Sequence, residues 1–162
     1  MTAKPSETIV FESAGAGHIR DVKKLEKESR LAPWTLEDYR AEIDREDSLF
    51  IVALEKEKTV GFIIARLIMP QQKEAFELEI YNLAVKEGHR KRGIGTSLLK
   101  NLLDSAPKSR SGLKVFLEVR RSNQKAINFY KKNGFSLLCK RKNFYRNPPE
   151  DALIFERKVE SE

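Results

Sequence analysis

A chain of 162 residues, 40% hydrophobic and 34% charged, suits one folded domain over residues 1–162 that buries about two thirds of its unfolded surface. No apolar run approaches the ~20 residues of a membrane span, residues 1–7 hold no apolar signal core, and the single cysteine, Cys139, excludes an internal disulfide or a cysteine-rich metal site. The net charge of +7 favours anionic partners in general. The 31 Lys and Arg run from end to end among 24 acids, with no RNA-recognition motif, zinc finger or glycine-rich RNA loop, so direct nucleic-acid binding is not expected.

Residues 8–11 read as a first strand. Residues 17–29 place Ile19, Val22 and Leu25 on one face and predict a helix, broken at Ala32-Pro33. Thr35 can cap a second helix, with Glu37 and Asp38 in its first turn. Residues 49–54 and 60–69 predict buried strands joined by the charged turn 55–59, and 75–85 a further strand. Apolar positions in this last strand change parity: Phe76, Leu78 and Ile80 are even, Leu83 and Val85 odd. Either a β-bulge near Tyr81-Asn82 or burial on both faces accounts for the change. A bulge would push the strand from its neighbour and leave a slot lined by free backbone groups.

Arg90–Gly95, Arg-Lys-Arg-Gly-Ile-Gly, follows that strand and opens a helix with apolar positions at Ile94, Leu98, Leu99, Leu102 and Leu103, ending before Pro107. Two glycines allow a tight turn and close approach of backbone amides to a ligand. The first N–H groups of a helix lack internal partners, and the helix dipole there favours an anion. With Arg90, Lys91 and Arg92 alongside, the segment reads as an anion cradle; a plain glycine turn flanked by solvated cations is the alternative. It is neither a Rossmann fingerprint, since Leu98 stands where a third glycine belongs, nor a P-loop, since Thr96 follows Gly95 with no lysine.

Leu113, Val115, Leu117 and Val119 alternate with Lys114, Phe116, Glu118 and Arg120, a strand with one apolar face. Ser122 or Asn123 can cap a helix running to Lys132, which Asn133-Gly134 would stop. Residues 135–140 and 151–159 predict two closing strands around a connection over 141–149. The element order gives an α/β (α+β) fold of about seven strands, mostly antiparallel at the start, with about four helices. Taken alone, Glu118 reads as a charge on a polar face, Tyr130 as the packed side of a helix and Asn123 as a cap. His18 falls on the polar face of the first helix and His89 in a loop, neither with a role, and Cys139 is a strand core or edge residue. Trp34, in a Pro-containing break, suits the core or a substrate-facing loop.

Strand, bulge, Arg-x-x-Gly-x-Gly, helix, strand and helix, in that order, resemble the GNAT superfamily of acetyl-CoA-dependent N-acetyltransferases. Tyr81-Asn82-Leu83-Ala84-Val85, Leu117-Glu118-Val119-Arg120, Ser122-Asn123, Ala126-Ile127, Phe129-Tyr130 and Asn133-Gly134-Phe135 are similar to the ribosomal-protein-alanine N-acetyltransferases within it. The similarity is dense over residues 80–135 and resumes at Asp151-Ala152. Before residue 75 it rests on Pro33-Trp34-Thr35, which resembles a Pro-Trp-Ser substrate loop.

The resemblance implies a splayed central strand pair in the sheet, with the stretch Leu83, Ala84 and Val85 on the acetyl-pantetheine arm of acetyl-CoA. It places Arg90, Lys91, Arg92, Gly93, Ile94, Gly95 and Thr96 on the pyrophosphate and Asn123 on the cofactor arm. Glu118 takes the place of the general base and Tyr130 that of the general acid, while Trp34, Tyr81 and Tyr145 would face the acceptor. Two departures stand out: Phe144 lacks a hydroxyl where relatives often carry a tyrosine pair, and residues 86–89 lack the usual acidic turn. The expected activity is direct acetyl transfer from acetyl-CoA to a protein α-amine, the N-terminal alanine of a small-subunit ribosomal protein being the acceptor of choice. The expected protein is a cytoplasmic monomer or weak dimer that needs no metal and binds no membrane. A lysine or small-amine acetyltransferase is the enzyme alternative; a non-catalytic acyl-CoA sensor or ribosome-binding module is the alternative from another class.

Overall fold

The computed structural model describes residues 8–69 and 74–161; the reading of residues 1–7 lies outside them. Among the described residues there are seven strands, β1 (Val10–Ser13), β2 (Ser48–Glu55), β3 (Lys58–Ile68), β4 (Phe76–Val85), β5 (Leu113–Arg120), β6 (Ser136–Arg146) and β7 (Pro149–Val159). Four α-helices join them, α1 (Ile19–Glu28), α2 (Leu36–Asp44), α3 (Ile94–Ser105) and α4 (Gln124–Lys132), with one 3₁₀ turn at Ala16–His18. The strand order is β1-β2-β3-β4-β5-β7-β6, mixed and mostly antiparallel, with β4 and β5 parallel. No helix among the described residues is long and apolar enough to cross a membrane.

The chain forms two compact units, residues 1–65 with 82–105 and residues 66–81 with 106–162. In the first, Ile19, Val22 and Leu25 of α1 pack with Tyr39, Phe50, Phe62, Ile64 and Ala84, and the rings of Tyr39, Phe50 and Phe62 lie 6.0–6.4 Å apart. Burying aliphatic or aromatic side chains of this size is worth about 1.5–3 kcal/mol each. Thr35 caps α2 as its sequence suggests, its Oγ1 accepting from Asp38 N–H at 3.0 Å; losing such a cap costs ~1 kcal/mol. Helix α3 buries the five residues its period selects, Ile94, Leu98, Leu99, Leu102 and Leu103. Gly61 lets it sit close: a Cβ there would lie 3.1 Å from Leu98 Cδ1 and 3.2 Å from the Ala84 carbonyl.

In the second unit, β5 buries Leu113, Val115, Leu117 and Val119 and half-exposes the alternate residues, the period-2 pattern its sequence shows. It pairs with β7 along its whole length. Its parallel ladder with β4 runs only from Phe76–Leu113 to Ile80–Leu117. Glu118, Val119 and Arg120 thus carry no ladder partner on the β4 side among the described pairs.

Three expectations need correction. Of the two readings of the parity change in β4, burial on both faces fits and the bulge does not: burial stays on even positions through Leu78, Ile80, Asn82 and Ala84, while Leu83 and Val85 are half-buried on the other face. A buried Asn82 at an even position hid the continuity. Residues 141–149 are not a loop: β6 runs to Arg146, β7 starts at Pro149, and the pair contains register shifts at Leu137/Cys139 and Arg141/Tyr145. As the exposed edge strand, β6 has no apolar face to give a period, and two irregularities erase what remains. His18 precedes α1 in the 3₁₀ turn, where its Nδ1 accepts from Gly15 N–H at 3.0 Å.

Candidate active site

The first unit holds the anion cradle. After β4 the chain turns through Gly88, Lys91 and Gly93, all at positive φ (61°, 61° and 79°), and enters α3 at Ile94. The first bond into the helix is Ser97 N–H to Gly93 O at 2.9 Å. The N–H groups of Ile94, Gly95 and Thr96 therefore point out of the helix end without acceptors among the described residues. A Cβ on Gly93 would meet nothing within 4 Å, so the space in front of these groups is open. Arg90, Lys91 and Arg92 are exposed around it. This donor set fits a polyphosphate.

Two contacts brace the cradle. Arg90 Nε donates to the Val85 carbonyl at 3.0 Å, so that carbonyl is already engaged. Glu55, at the end of β2, takes Arg92 at 3.1 Å through one oxygen and His89 Nε2 at 2.5 Å through the other. The His89 hydrogen bond, together with Arg92, holds the Glu55 carboxyl below its usual range against the opposing effect of burial. Arg92 is thus half committed, leaving Arg90 and Lys91 as the freer cations. The sequence assigned no role to His89 or Glu55, which lie 34 residues apart.

Trp34 belongs to the same unit but sits half-buried against its core, its ring 5.3 Å from Tyr39. The cause is Glu26, 1% exposed on α1, which accepts from Trp34 N–H at 2.9 Å, from Tyr39 Oη and from Lys23 at 2.6 Å. Lys23 also donates to the Trp34 carbonyl. A buried carboxylate so bonded fixes the segment joining α1 and α2 in one place. Burial and the carboxylate drive the Tyr39 phenol far above its ordinary pKa.

The second unit holds the candidate proton-handling groups. Glu118 lies on the half-buried face of β5, its side chain 27% exposed, with Oε1 3.2 Å from Arg141 NH1 of β6. Desolvation raises its pKa above the usual carboxylate value; Arg141 works against this, and the charge of Glu79 on β4 adds to it. Tyr81 donates to Glu79 Oε2 at 3.0 Å, and Arg66 lies 4.7 Å over the Tyr81 ring. Tyr145 lies under the Arg120 guanidinium at 4.0 Å, its hydroxyl pKa raised by burial and by the charge of Glu118. Arg120 reaches Glu150 Oε2 at 3.3 Å and Pro148 O at 3.3 Å, tying down the β6–β7 turn. Tyr81, Glu118 and Tyr145 thus share one neighbourhood with Glu79, Arg120 and Arg141.

Asn123 and Tyr130 belong to α4 and its start. Asn123 Oδ1 accepts from Ala126 N–H at 3.2 Å and caps the helix; its exposed amide keeps its donors. Tyr130 is 8% exposed, its ring 5.2–5.4 Å from Phe129 and Phe135, and its hydroxyl bonds nothing among the described residues. Burial alone pushes its pKa well above that of a free phenol, so it stays protonated at neutral pH. No hydrogen bond joins it to Glu118 in the described structure. Leu83, Val85 and the cradle therefore fall in the first unit, and Glu118, Asn123 and Tyr130 in the second.

An open helix N-terminus fit for pyrophosphate and a desolvated carboxylate fit to take a proton coincide with a family pattern. The Acetyltransferase (GNAT) family matches residues 19–135. The chain belongs to that family. Among GNAT relatives, N-alpha-acetyltransferase 50 of Danio rerio is 32% identical over 103 residues, 63% of this chain and 60% of that protein's length. The ribosomal protein bS18-alanine N-acetyltransferase of Escherichia coli K12 is 30% identical over 132 residues, 80% of this chain and 84% of that protein. Arabidopsis thaliana Naa50, solved with the bisubstrate analogue CoA-Ac-MVNAL, superposes with a TM-score of 0.77 at 26% identity, covering 92% of this chain and 97% of that one. The GNAT match takes in the cradle, Glu118, Asn123 and Tyr130 but stops at residue 135, before Arg141 and Tyr145.

Proposed function

We propose that this GNAT chain transfers the acetyl group of acetyl-CoA to the α-amine of a protein, with the N-terminal alanine of a small-subunit ribosomal protein as its acceptor. The observation that carries the reading is Glu118: a half-buried carboxylate with a raised pKa, one residue past the last β4–β5 pair, Ile80–Leu117. An α-ammonium has a pKa of roughly 7.7–8.0, so much of it is protonated at neutral pH and cannot attack. A carboxylate with a raised pKa is a stronger base than an ordinary one and takes that proton directly or through a water. The relatives named as α-amine acetyltransferases support this acceptor class over lysine.

In this reading the free N–H groups of residues 94–96, with Arg90 and Lys91, hold the pyrophosphate, and the Asn123 amide bonds the cofactor arm. The deprotonated amine attacks the thioester carbonyl directly, without an acyl-enzyme. A backbone N–H of the Leu83–Val85 stretch would receive the developing oxyanion. The leaving thiolate, with a pKa near ~8.5, departs readily. Tyr130, as a buried phenol, serves as a hydrogen-bond donor to it more than as a strong acid. Trp34, Tyr81 and Tyr145 would flank the acceptor. Residues 1–162 act as one catalytic domain, and the protein works as a cytoplasmic monomer or weak dimer.

The test is acetyl transfer from acetyl-CoA to a peptide panel, with the modified nitrogen located by mass spectrometry. Transfer to free α-amines, strongest for alanine starts, upholds the proposal. Transfer that survives α-amine blocking moves the acceptor to lysine. Binding of acetyl-CoA with no transfer to any peptide overturns the protein-acetylation reading in favour of a small amine or a sensor.

A further inference from the structure

Strand β6 carries four cations, Lys140, Arg141, Lys142 and Arg146, and no acid. It is the edge strand, bonded only to β7, and nearly all of it is exposed. Lys140 lies 3.8 Å from Asp151. Lys142 and Arg146 have no acidic partner among the described residues. Phe144, 41% exposed, stands between them, with Arg141 5.6 Å above its ring. Arg141 itself is 59% exposed, and its one acidic partner among the described residues is Glu118. A basic, aromatic strip therefore begins at the candidate base and runs outward along an open edge.

That contact creates a problem for an incoming amine. The acceptor arrives as an α-ammonium, and direct transfer of its proton brings it within hydrogen-bond reach of Glu118, about 2.6–3.2 Å. Arg141 already sits 3.2 Å from the same carboxylate. The two cationic nitrogens would then lie within roughly 6 Å of each other in a partly desolvated site, and repel. A carboxylate on the acceptor removes the conflict by taking the guanidinium off Glu118. Extended chain advances at most about 3.3–3.6 Å per residue. A side chain at the second or third position of the acceptor thus reaches Arg141 while its α-amine stands at Glu118.

We infer that Arg141 is a specificity-determining residue that selects acceptors bearing Asp or Glu directly after the acetylated residue, with Lys142 and Arg146 extending the acidic preference along β6. The inference rests on the α-amine reading above and narrows its acceptor class. Arg141 and the rest of β6 lie beyond the residues that the family pattern matches, where the acceptor preference of this chain can be its own. In the free enzyme Arg141 covers the base; the acidic acceptor uncovers it.

The experiment compares kcat/KM for peptides that share an N-terminal alanine and differ at positions two and three, Asp, Asn or Lys, at low ionic strength. Wild-type enzyme should prefer the acidic peptide over the neutral one about tenfold, with the lysine peptide lowest; a 1.4 kcal/mol difference has that size. Arg141→Gln should bring the acidic-to-neutral ratio close to one, by raising KM for the acidic peptide and by uncovering the base to the neutral one, and Arg141→Lys should restore part of it. The same ratio in wild-type enzyme should shrink as the Debye length falls from about 30 Å to about 3 Å on going from 0.01 M to 1 M salt, a readout independent of any variant's folding. Equal rates on acidic and neutral peptides in wild type, or a ratio that survives both Arg141→Gln and high salt, overturns the inference while leaving α-amine acetylation intact. No transfer to any of the peptides overturns both.

Discussion

In the first unit, the candidate phosphate site is made of consecutive residues, 90–96, and its working groups are backbone N–H groups at a helix start. In the second, the candidate proton-handling groups are side chains from β4, β5, α4 and β6, 79 to 145 in sequence, whose proton affinities are set first by burial and then by one another: Glu118 by Arg141 and Glu79, Tyr145 by Glu118 and Arg120. A backbone site depends on φ and ψ and tolerates changes of side chain. A side-chain cluster tolerates small backbone shifts but loses its function with one atom. The comparison predicts opposite mutational profiles for the two halves of the chemistry.

Glu118→Gln should have the largest effect. It keeps the shape and removes the base, and should lower kcat by about 10²–10⁴-fold, the range of general base catalysis. Acetyl-CoA affinity, measured by calorimetry, should stay within twofold of wild type, roughly the precision of such a titration. Stability should hardly change, because the Arg141 guanidinium released is largely exposed and such pairs contribute little. A kcat within threefold of wild type would dissolve the distinction between the two halves, since no side chain in the second unit would then be indispensable.

Gly93→Val tests the other half and should have the next largest effect. Nothing crowds a Cβ at this position, so the cost is entirely in the backbone: φ of 79° is unfavourable for an L residue and worst for a β-branched one. At about 1–2 kcal/mol for the left-handed region, acetyl-CoA binding should weaken roughly tenfold or more as the loop relaxes, with kcat at saturation much less affected. Arg90→Ala or Lys91→Ala should cost only a few-fold, as removal of exposed charge does. Were the two alanine variants to weaken binding more than Gly93→Val, the cradle would be a charge site and not a backbone site.

The same contrast explains what could be read from the sequence. The cradle was legible because its parts are contiguous and each residue type has a backbone reason: glycine at positive φ, apolar period after it, cations beside it. Strand β5 was legible because burial on one face writes a period of two. Glu118 and Tyr130 were legible as roles only through the family resemblance, because a charge on a half-buried face and a tyrosine on a packed helix carry no signal of their own. Arg141 was lost because it sits on an edge strand with no apolar face and two register shifts, which reads as a loop. Glu26 and Glu55 were lost for another reason. Each organises a loop far away in sequence, Trp34 in one case and His89 with Arg92 in the other, and only the folded chain shows which carboxylate is buried and what it binds.

Tyr130→Phe should come third. The hydroxyl pKa is raised by burial, so proton transfer to a thiolate of pKa near ~8.5 is uphill, and the thiolate leaves readily without it. The loss in kcat should stay below about tenfold, well short of the loss at Glu118. A larger loss would mean that departure of the thiol, rather than deprotonation of the amine, limits turnover.

The smallest effect is the most diagnostic of how the second unit works, because it moves a pH profile without removing a catalytic group. The base acts only when ionised, so the acidic limb of kcat/KM reports the pKa of Glu118 in the free enzyme. Burial sets that limb above the ordinary carboxylate range, Glu79 raises it further and Arg141 lowers it. Glu79→Gln takes away a negative neighbour, which makes the ionised form of Glu118 easier to reach, so the limb should move to lower pH. Arg141→Gln takes away a positive neighbour and should move it to higher pH, measured on a neutral peptide so that acceptor charge plays no part. Any limb owed to the peptide's own amine stays where it is in all three enzymes, which separates the two titrations. Opposite displacements by two residues from different strands are what a cluster tuned by its neighbours requires. Limbs that coincide would mean that desolvation alone sets the base, leaving Glu79 and Arg141 as bystanders to its proton affinity.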